Sequence, residues 1–307
     1  MGGANMDLKA SSAAPVVPAT SNPGTTVVAP GGVGRNVAEN LARLGTPVHL
    51  VAAVGADPFG DQLIAATAAA GVCVEHVRRS AHPTGTYTAV LDADGELFVG
   101  VADMAATEAL GPVEMQADEE LISAADLLVL DGNLLPETIG GALDLAAAAE
   151  VRVVIEPVSV PKAARLAGQL RSGRPVYAVT PNADELAALT GRPAETDDQL
   201  RDAMRALHDR GVELVWVRLG RRGSLLSGPG AFTALPAQGS GPDATVLDVT
   251  GAGDAMLAAF CHAILGGADP ADAAAYGHAA AALTVASPHT VRPDLTDRLV
   301  ESLLPAP

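Results

Sequence analysis

The chain has 307 residues, a formal charge of −17 at pH 7, 49% hydrophobic and 18% charged residues, and only 3% aromatics. That length can bury a full α/β core, packed by aliphatic rather than aromatic side chains. The negative charge disfavours nucleic acid and anionic membranes as partners, and no apolar run approaches membrane-spanning length.

The two cysteines, Cys73 and Cys261, have no paired spacing, and the first residues lack a basic-then-apolar leader pattern; a reduced cytoplasmic setting is expected. Up to Pro30, a stretch rich in Ser, Pro, Thr and Val predicts short edge strands and loops. From Asn36, the set Val37, Leu41 and Leu44 with Ala38 and Ala42 has helical spacing, and Gly45 ends it. Residues 48–54 read as a buried strand and 58–70 as a helix stopped by Gly71. Residues 84–91 and 96–101 read as strands joined by Asp92-Ala93-Asp94-Gly95, a hairpin signal.

Strands and helices then alternate. Strands are predicted at 127–130, 151–155, 176–179 and 214–219, with helices at 136–149, 161–170, 183–189 and 197–210. Short strands at 224–226 and 232–235 precede a helix from Ala255 and a long Ala-rich helix at 271–286. Such alternation predicts an α/β fold with a mostly parallel central sheet flanked by helices. The expected organisation is one domain over 1–307, with a small β-sheet lid built from about 8–30 and 84–103.

The richest chemical signal is Asp248-Val249-Thr250-Gly251-Ala252-Gly253-Asp254 at the start of a helix. Glycines let several N–H groups converge on one point, and a helix N-terminus there suits a phosphate or oxyanion. Asp254 directly after this nest can serve as a proton acceptor, which suits phosphoryl transfer to an alcohol. The same string alone also fits a helix start with an acidic first turn. Gly31-Gly32-Val33-Gly34-Arg35-Asn36 is neither a Walker A loop nor a dinucleotide fingerprint. It fits close backbone approach to a sugar, with Asn36 on the hydroxyls, or equally a turn with an Asn cap.

Four motifs in one order resemble the ribokinase-like family of sugar kinases. They are residues 31–45 with Val54-Gly55-Ala56-Asp57-Pro58-Phe59-Gly60, Thr180-Pro181-Asn182-Ala183-Asp184-Glu185, Leu219-Gly220-Arg221-Arg222-Gly223, and Asp248 to Asp254. Gly2-Gly3-Ala4-Asn5-Met6-Asp7, Ser21-Asn22-Pro23-Gly24 and Val101-Ala102-Asp103-Met104 resemble the pseudouridine kinase branch. The resemblance implies a ribokinase-like fold and an ATP-dependent kinase that phosphorylates the 5′-hydroxyl of pseudouridine. Asp254 would be the base, and Gly251, Ala252 and Gly253 would hold the transferring phosphoryl group.

By the same resemblance, Asp7, Gly32 and Asn36 would bind the ribose, and Asn133 would reach it from a strand end. Ribokinase itself carries a carboxylate at that place, so the amide points to a different substrate. Asn182 and Glu185 would hold the Mg²⁺-phosphate assembly, Glu185 through water; an N-cap with a capping-box partner fits the same pair. Arg218, Gly220 and Gly223 would meet the nucleotide, with Arg221 as further phosphate charge, and His278 would line the adenine pocket. Asp248, with carbonyls after Thr284, resembles a K⁺ site. Lid residues Asn22, Thr84, Thr86, Tyr87 and Asp103 are candidates for reading the base, and a homodimer through the lid is expected.

The alternatives are another ribokinase-like activity (on ribose, another nucleoside or a fructose derivative) or a catalytically weak sugar- or nucleoside-binding protein. One departure stands out. Relatives precede the Gly2-Gly3-Ala4 segment with an apolar strand at the sheet centre, which is almost absent here. The expected consequence is a weakened sheet, or else a start that lies further upstream.

Overall fold

The computed structural model describes residues 1–228, 230–238 and 247–304. Its strands are β1 Asn5–Ser12, β2 Gly24–Gly31, β3 Ala52–Gly55, β4 Val77–Ser80, β5 Gly85–Leu91 and β6 Leu97–Asp103. They continue with β7 Leu127–Asp131, β8 Arg152–Glu156, β9 Val176–Val179, β10 Val212–Arg218, β11 Ser224–Gly228 and β12 Ala231–Leu235. A six-stranded sheet has the order β12-β11-β10-β9-β8-β7. Strands β7 to β10 run parallel, and β11 and β12 extend the sheet antiparallel. This is the mostly parallel sheet that the alternation predicts.

Both faces are covered, which explains the near-continuous apolar strands. Val153 and Ile155 of β8 turn to the face packed by helices Pro136–Ala148, Val160–Leu166, Ala183–Thr190 and Asp197–His208. Val154 turns the other way, toward Val37, Trp216, Leu257 and Phe260 beneath helices Val33–Arg43, Ala252–Leu265 and Pro270–Val285. Trp216 and Phe260 pack with ring centroids 4.9 Å apart and ring planes tilted by 34°, a rare aromatic pair in a core otherwise filled by Ala, Val and Leu.

A second sheet has the order β2-β1-β5-β6, with β1 and β5 parallel and the other pairs antiparallel. Its register decides which side chains share a face. Asp7 lies opposite Tyr87, whereas Met6 lies opposite Thr86 and Thr86 opposite Asp103. Strands β3 and β4 form a separate parallel pair. Residues 1–3 join the sheets: the Met1 amine donates to Val129 O at 2.7 Å and Gly2 N to Val51 O at 3.1 Å.

Element ends differ from expectation where local chemistry outweighs periodicity. The first helix starts at Val33, not Asn36, because Gly32 already makes the turn. Regular strand is confined to β3 within the predicted 48–54 run; His49 contributes only an isolated bridge to Cys73. Strand β4 and the short helices Ala105–Glu108, Pro112–Gln116, Glu119–Ser123 and Asp297–Glu301 have no counterpart in the expected order. Four or five residues carry too little periodicity to register. Among the described residues, no helix is long and apolar enough to cross a membrane, and Cys73 and Cys261 are free thiols.

Candidate active site

The Ala252–Leu265 helix begins at Gly251, whose φ of 79° places it in the left-handed region. A Cβ there would also sit 2.0 Å from Thr290 O, so glycine is required on both counts. Ala252 N closes a turn on Val249 O at 3.3 Å. The amides of Gly251, Gly253 and Asp254 have no acceptor among the described residues, which leaves them to an incoming anion. Gly253 makes room for a cation, because a Cβ on it would lie 2.6 Å from Arg218 Nη1.

Asp254 Oδ2 accepts a hydrogen bond from Asn36 Nδ2 at 2.7 Å, across 218 residues of chain. Burial raises the Asp254 carboxyl to about 7; Asn36 and Arg218 oppose the rise, while Glu156 and Asp131 add to it. A carboxylate so placed is a proton acceptor matched to neutral pH. Asn36 is itself held: Arg35, buried and bonded to Gly31 O at 2.8 Å and Pro30 O at 3.0 Å, donates to Asn36 Oδ1. Since Oδ1 is thus occupied as an acceptor, the amide nitrogen is directed at Asp254.

Asp131 ties three segments of this pocket together. Its Oδ2 accepts from Gly3 N at 2.8 Å and Gly34 N at 2.7 Å, and its Oδ1 from Asn133 N at 2.8 Å. Gly32, with φ 94°, packs where a Cβ would lie 2.4 Å from Gly3 O, so the Gly31–Gly34 turn sits directly on the Gly2-Gly3 backbone. Asp7 lies above Gly31 and accepts from Asn5 Nδ2 at 2.7 Å. Burial raises its pKa against the pull of Asn5 and Arg35. Lys9, two residues on and so on the same face, bonds Asp248 Oδ2 at 3.0 Å, which turns that face toward the Gly251 loop.

Asn133 is buried at the end of β7 and accepts from Lys162 Nζ. Lys162, its pKa lowered by burial, is a cation that the motifs did not single out. Only its place one turn into a helix, without a neighbouring motif, marks it in sequence. Asp131, Arg35 and Glu156 were missed as well. Each acts through a partner distant in sequence or through backbone carbonyls, which leaves no spacing to read.

Where the nucleotide-binding residues are expected, Asn182 and Glu185 form a reciprocal capping box. Asn182 Oδ1 accepts from Glu185 N at 2.9 Å, and Glu185 Oε2 accepts from Asn182 N at 2.8 Å. Arg218 Nη2 bridges Glu156 Oε1 at 2.6 Å and Glu185 Oε2 at 3.3 Å. Burial disfavours the Arg218 charge, but Glu156 and Glu185 outweigh it and raise the pKa. Arg218 therefore sits between the two carboxylates and the glycine nest. A cleft of about 550 Å³ runs alongside, lined by Asn182, Ala187, Pro193, Arg218 and Gly220.

Several expected residues lie elsewhere. His278 is buried, and its Nε2 is bonded to Ser224 Oγ at 2.7 Å against Trp216, so it is packed in the core rather than turned to the cleft. Gly223 serves strand packing, since a Cβ would lie 2.0 Å from Leu235 O. Arg221 is exposed. Thr86 and Asp103 share the face of Met6, opposite to that of Asp7, so they do not converge with Asp7 on one ligand; Asp103 instead accepts from Ala105 N at 3.2 Å. Thr84 is buried and bonded to Asp57 and Gly55. Asn22 closes its own loop, exchanging bonds with Val17 at 2.9 and 3.0 Å. Of the residues weighed on this sheet for the base, Tyr87 alone shares the Asp7 face.

Asp248 accepts from Thr250 N at 2.9 Å and Thr250 Oγ1 at 2.7 Å as well as from Lys9. Burial would raise its pKa, but these bonds hold it below the ordinary value, so its charge is already compensated. Val285 O accepts from Leu247 N at 2.8 Å. Among the described residues, no group of three or more His, Cys, Asp or Glu is gathered to hold a metal by itself. A divalent cation carried on phosphates needs only one or two hard carboxylate oxygens, and Glu185 beside the nest offers that chemistry.

The pfkB family carbohydrate kinase model matches residues 1–297. The pseudouridine kinase of Escherichia coli (strain K12) is 31% identical over 309 residues, covering 99% of this chain and 95% of that protein. The uncharacterized sugar kinase YeiI of the same strain is 31% identical over 306 residues, covering 99% of this chain and 82% of its own length. Among solved structures, Arabidopsis thaliana ribokinase complexed with ribose and ATP superposes with a TM-score of 0.85 at 26% identity, covering 98% of this chain and 96% of that one.

Proposed function

Because the chain belongs to the pfkB family of carbohydrate kinases and is a phosphotransferase acting on a hydroxyl group, we propose that it uses ATP to convert pseudouridine into pseudouridine 5′-phosphate. The observation that carries the kinase chemistry is the Asp254–Asn36 hydrogen bond beside the open amides of Gly251 and Gly253. It supports reading Asp254 as a base, Asn36 as a hydroxyl-binding amide and the free amides as an anion hole. The choice of pseudouridine is supported by the likeness to the Escherichia coli pseudouridine kinase over nearly the whole of both chains.

In this reading Asp7 and Asn36 hold the ribose hydroxyls, with Gly32 giving close backbone approach. Asn133 and Lys162 approach from the end of β7. The 5′-oxygen attacks the γ-phosphorus while Asp254 takes its proton, and ADP leaves with the electrons of the broken P–O bond. Gly251 and Gly253 face the transferring group, whose charge their N–H donors stabilise, whereas the Ala252 amide is taken by Val249 O; one such donor is worth on the order of 3 kcal/mol. Arg218 adds positive charge at the nest. Mg²⁺, when bound with ATP, neutralises phosphate charge, and Glu185 is the residue to hold it through water.

The β2-β1-β5-β6 sheet acts as a lid over the sugar, with Tyr87 rather than Thr86 or Asp103 toward the base. Strand β6 is an edge strand with Leu97, Phe98, Val99 and Val101 exposed, which supports a homodimer formed through this sheet. The test of substrate is turnover of pseudouridine, uridine, ribose, adenosine and fructose with Mg-ATP. Pseudouridine is expected to give the highest kcat/KM. Higher kcat/KM for ribose or adenosine would overturn the assignment, and binding without turnover of any of them would overturn the kinase reading.

A further inference from the structure

Asp248 stands three residues before Gly251, and a carboxylate there opposes any anion that the glycine nest receives. Its two oxygens have separate tasks. Oδ1 accepts from Thr250 N at 2.9 Å and Thr250 Oγ1 at 2.7 Å, which sets the turn leading into the left-handed Gly251. Oδ2 accepts from Lys9 Nζ at 3.0 Å, across 239 residues of chain. Lys9 is the only Lys or Arg in strands β1, β2, β5 and β6, in a chain with a formal charge of −17. It pairs with Val27 and Ala89, so it stands mid-sheet, two residues beyond Asp7 and on the same face.

Asp248 with the carbonyls after Thr284 resembles a K⁺ site in sequence, yet the residues present do not fit one. A hard cation is held by several oxygens with open lone pairs. Oδ1 of Asp248 has both of its lone pairs engaged by Thr250. Val285 O accepts from Leu247 N at 2.8 Å and from Asp248 N at 3.4 Å, and Thr284 O accepts from Ser287 N at 2.9 Å. A K⁺ ion on Oδ2 would share that oxygen with the Lys9 ammonium, and two like charges on one oxygen repel.

We propose that the Lys9 ammonium is the resident counter-ion of Asp248, standing in the place of a diffusible monovalent cation and keeping the Gly251 nest receptive to phosphate. Lys9 is a positioning residue: it acts through Asp248 and not on the transferring group. It is carried on the lid sheet, so Asp248 is compensated while β1 lies over the nest and stands as an uncompensated charge when β1 withdraws. Phosphate binding is thereby tied to the strand that also carries Asp7. The link to phosphate rests on the reading of the chain as an ATP-dependent kinase; the displacement of K⁺ by Lys9 does not.

The test measures the Kd of Mg-AMP-PNP by calorimetry, and the melting temperature, for the wild-type chain, Lys9→Met and the double variant Lys9→Met/Asp248→Asn. Each is measured in potassium chloride and in tetramethylammonium chloride at equal ionic strength. Met keeps the alkyl stem of Lys9 without its charge, and Asn keeps an oxygen for Thr250. The wild-type chain is expected to give the same Kd and melting temperature in both salts. A half-exposed ion pair is worth up to about fivefold in an equilibrium constant. Lys9→Met should therefore bind the analogue about two- to fivefold more weakly in tetramethylammonium chloride, and the double variant should recover most of that loss. Tighter binding or a higher melting temperature of the wild-type chain in potassium chloride overturns the proposal. So does a Lys9→Met variant equal to wild type, or a double variant no better than the single one. If the wild-type chain does not bind the analogue, the kinase reading falls and the melting temperatures decide. A midpoint lowered in Lys9→Met and restored by Asp248→Asn then upholds Lys9 as the counter-ion, and an unchanged midpoint overturns it.

Discussion

Replacing Asp254 by Asn is expected to stabilise the fold above neutral pH while removing activity. The carboxyl is raised from 3.8 to about 7 in the folded protein, chiefly by burial. A raised acid favours folding when protonated and loses that advantage as pH climbs from the unfolded pKa through the folded one. At about pH 8 the ionised form is therefore carried at a cost of about 4 kcal/mol by linkage, which solvent at the half-buried carboxylate trims to about 2–4 kcal/mol. Asn is isosteric and neutral, so Asp254→Asn recovers that amount at about pH 8 and only about 1 kcal/mol at about pH 4.5. Urea unfolding of both proteins at the two pH values reads the difference directly. A gain that is the same at both pH values, or a loss at about pH 8, would refute the reasoning that Asp254 is held at a functional cost.

Further outcomes follow from single contacts. The kcat/KM of the wild-type chain should rise with pH up to about 7 and then level, since the base must be ionised; Asn36→Ala removes the bond that favours ionisation, so the rise should move to higher pH. Asp131→Asn leaves fewer acceptors for three backbone amides, with an expected loss of about 3 kcal/mol in chemical unfolding and a raised KM for the nucleoside with less effect on that for ATP. His278→Ala should lower stability by about 1–3 kcal/mol with the ATP KM unchanged; a KM for ATP raised tenfold would return His278 to the nucleotide pocket.

The order of strands and helices was legible because period and turn signals are local. The mostly parallel sheet covered on both faces followed from the alternation of strands and helices, and its strands are unbroken apolar runs such as 153–155 and 214–217. The positions of Asp254, Asn36 and the glycine nest were legible too, since each belongs to a motif tied to a helix start. What escaped was anything set by register or by partners far apart in sequence. Thr86 and Tyr87 are neighbours, and only pairing with Met6 and Asp7 tells which faces the pocket. His278 reads alike as core or pocket until Ser224 is seen to hold it, 54 residues away. Asp131 carries no motif because its partners are backbone amides at residues 3, 34 and 133.

The most direct measurement is phosphorylation of pseudouridine by Mg-ATP in the wild-type chain and in Asp254→Asn, with nucleoside affinity determined by calorimetry in parallel. The wild-type chain should yield the 5′-phosphate, and the variant should bind pseudouridine with similar affinity while losing about 10²–10⁴-fold in kcat. A variant that turns over at near wild-type rate would contradict the assignment of Asp254 as the base that accepts the hydroxyl proton.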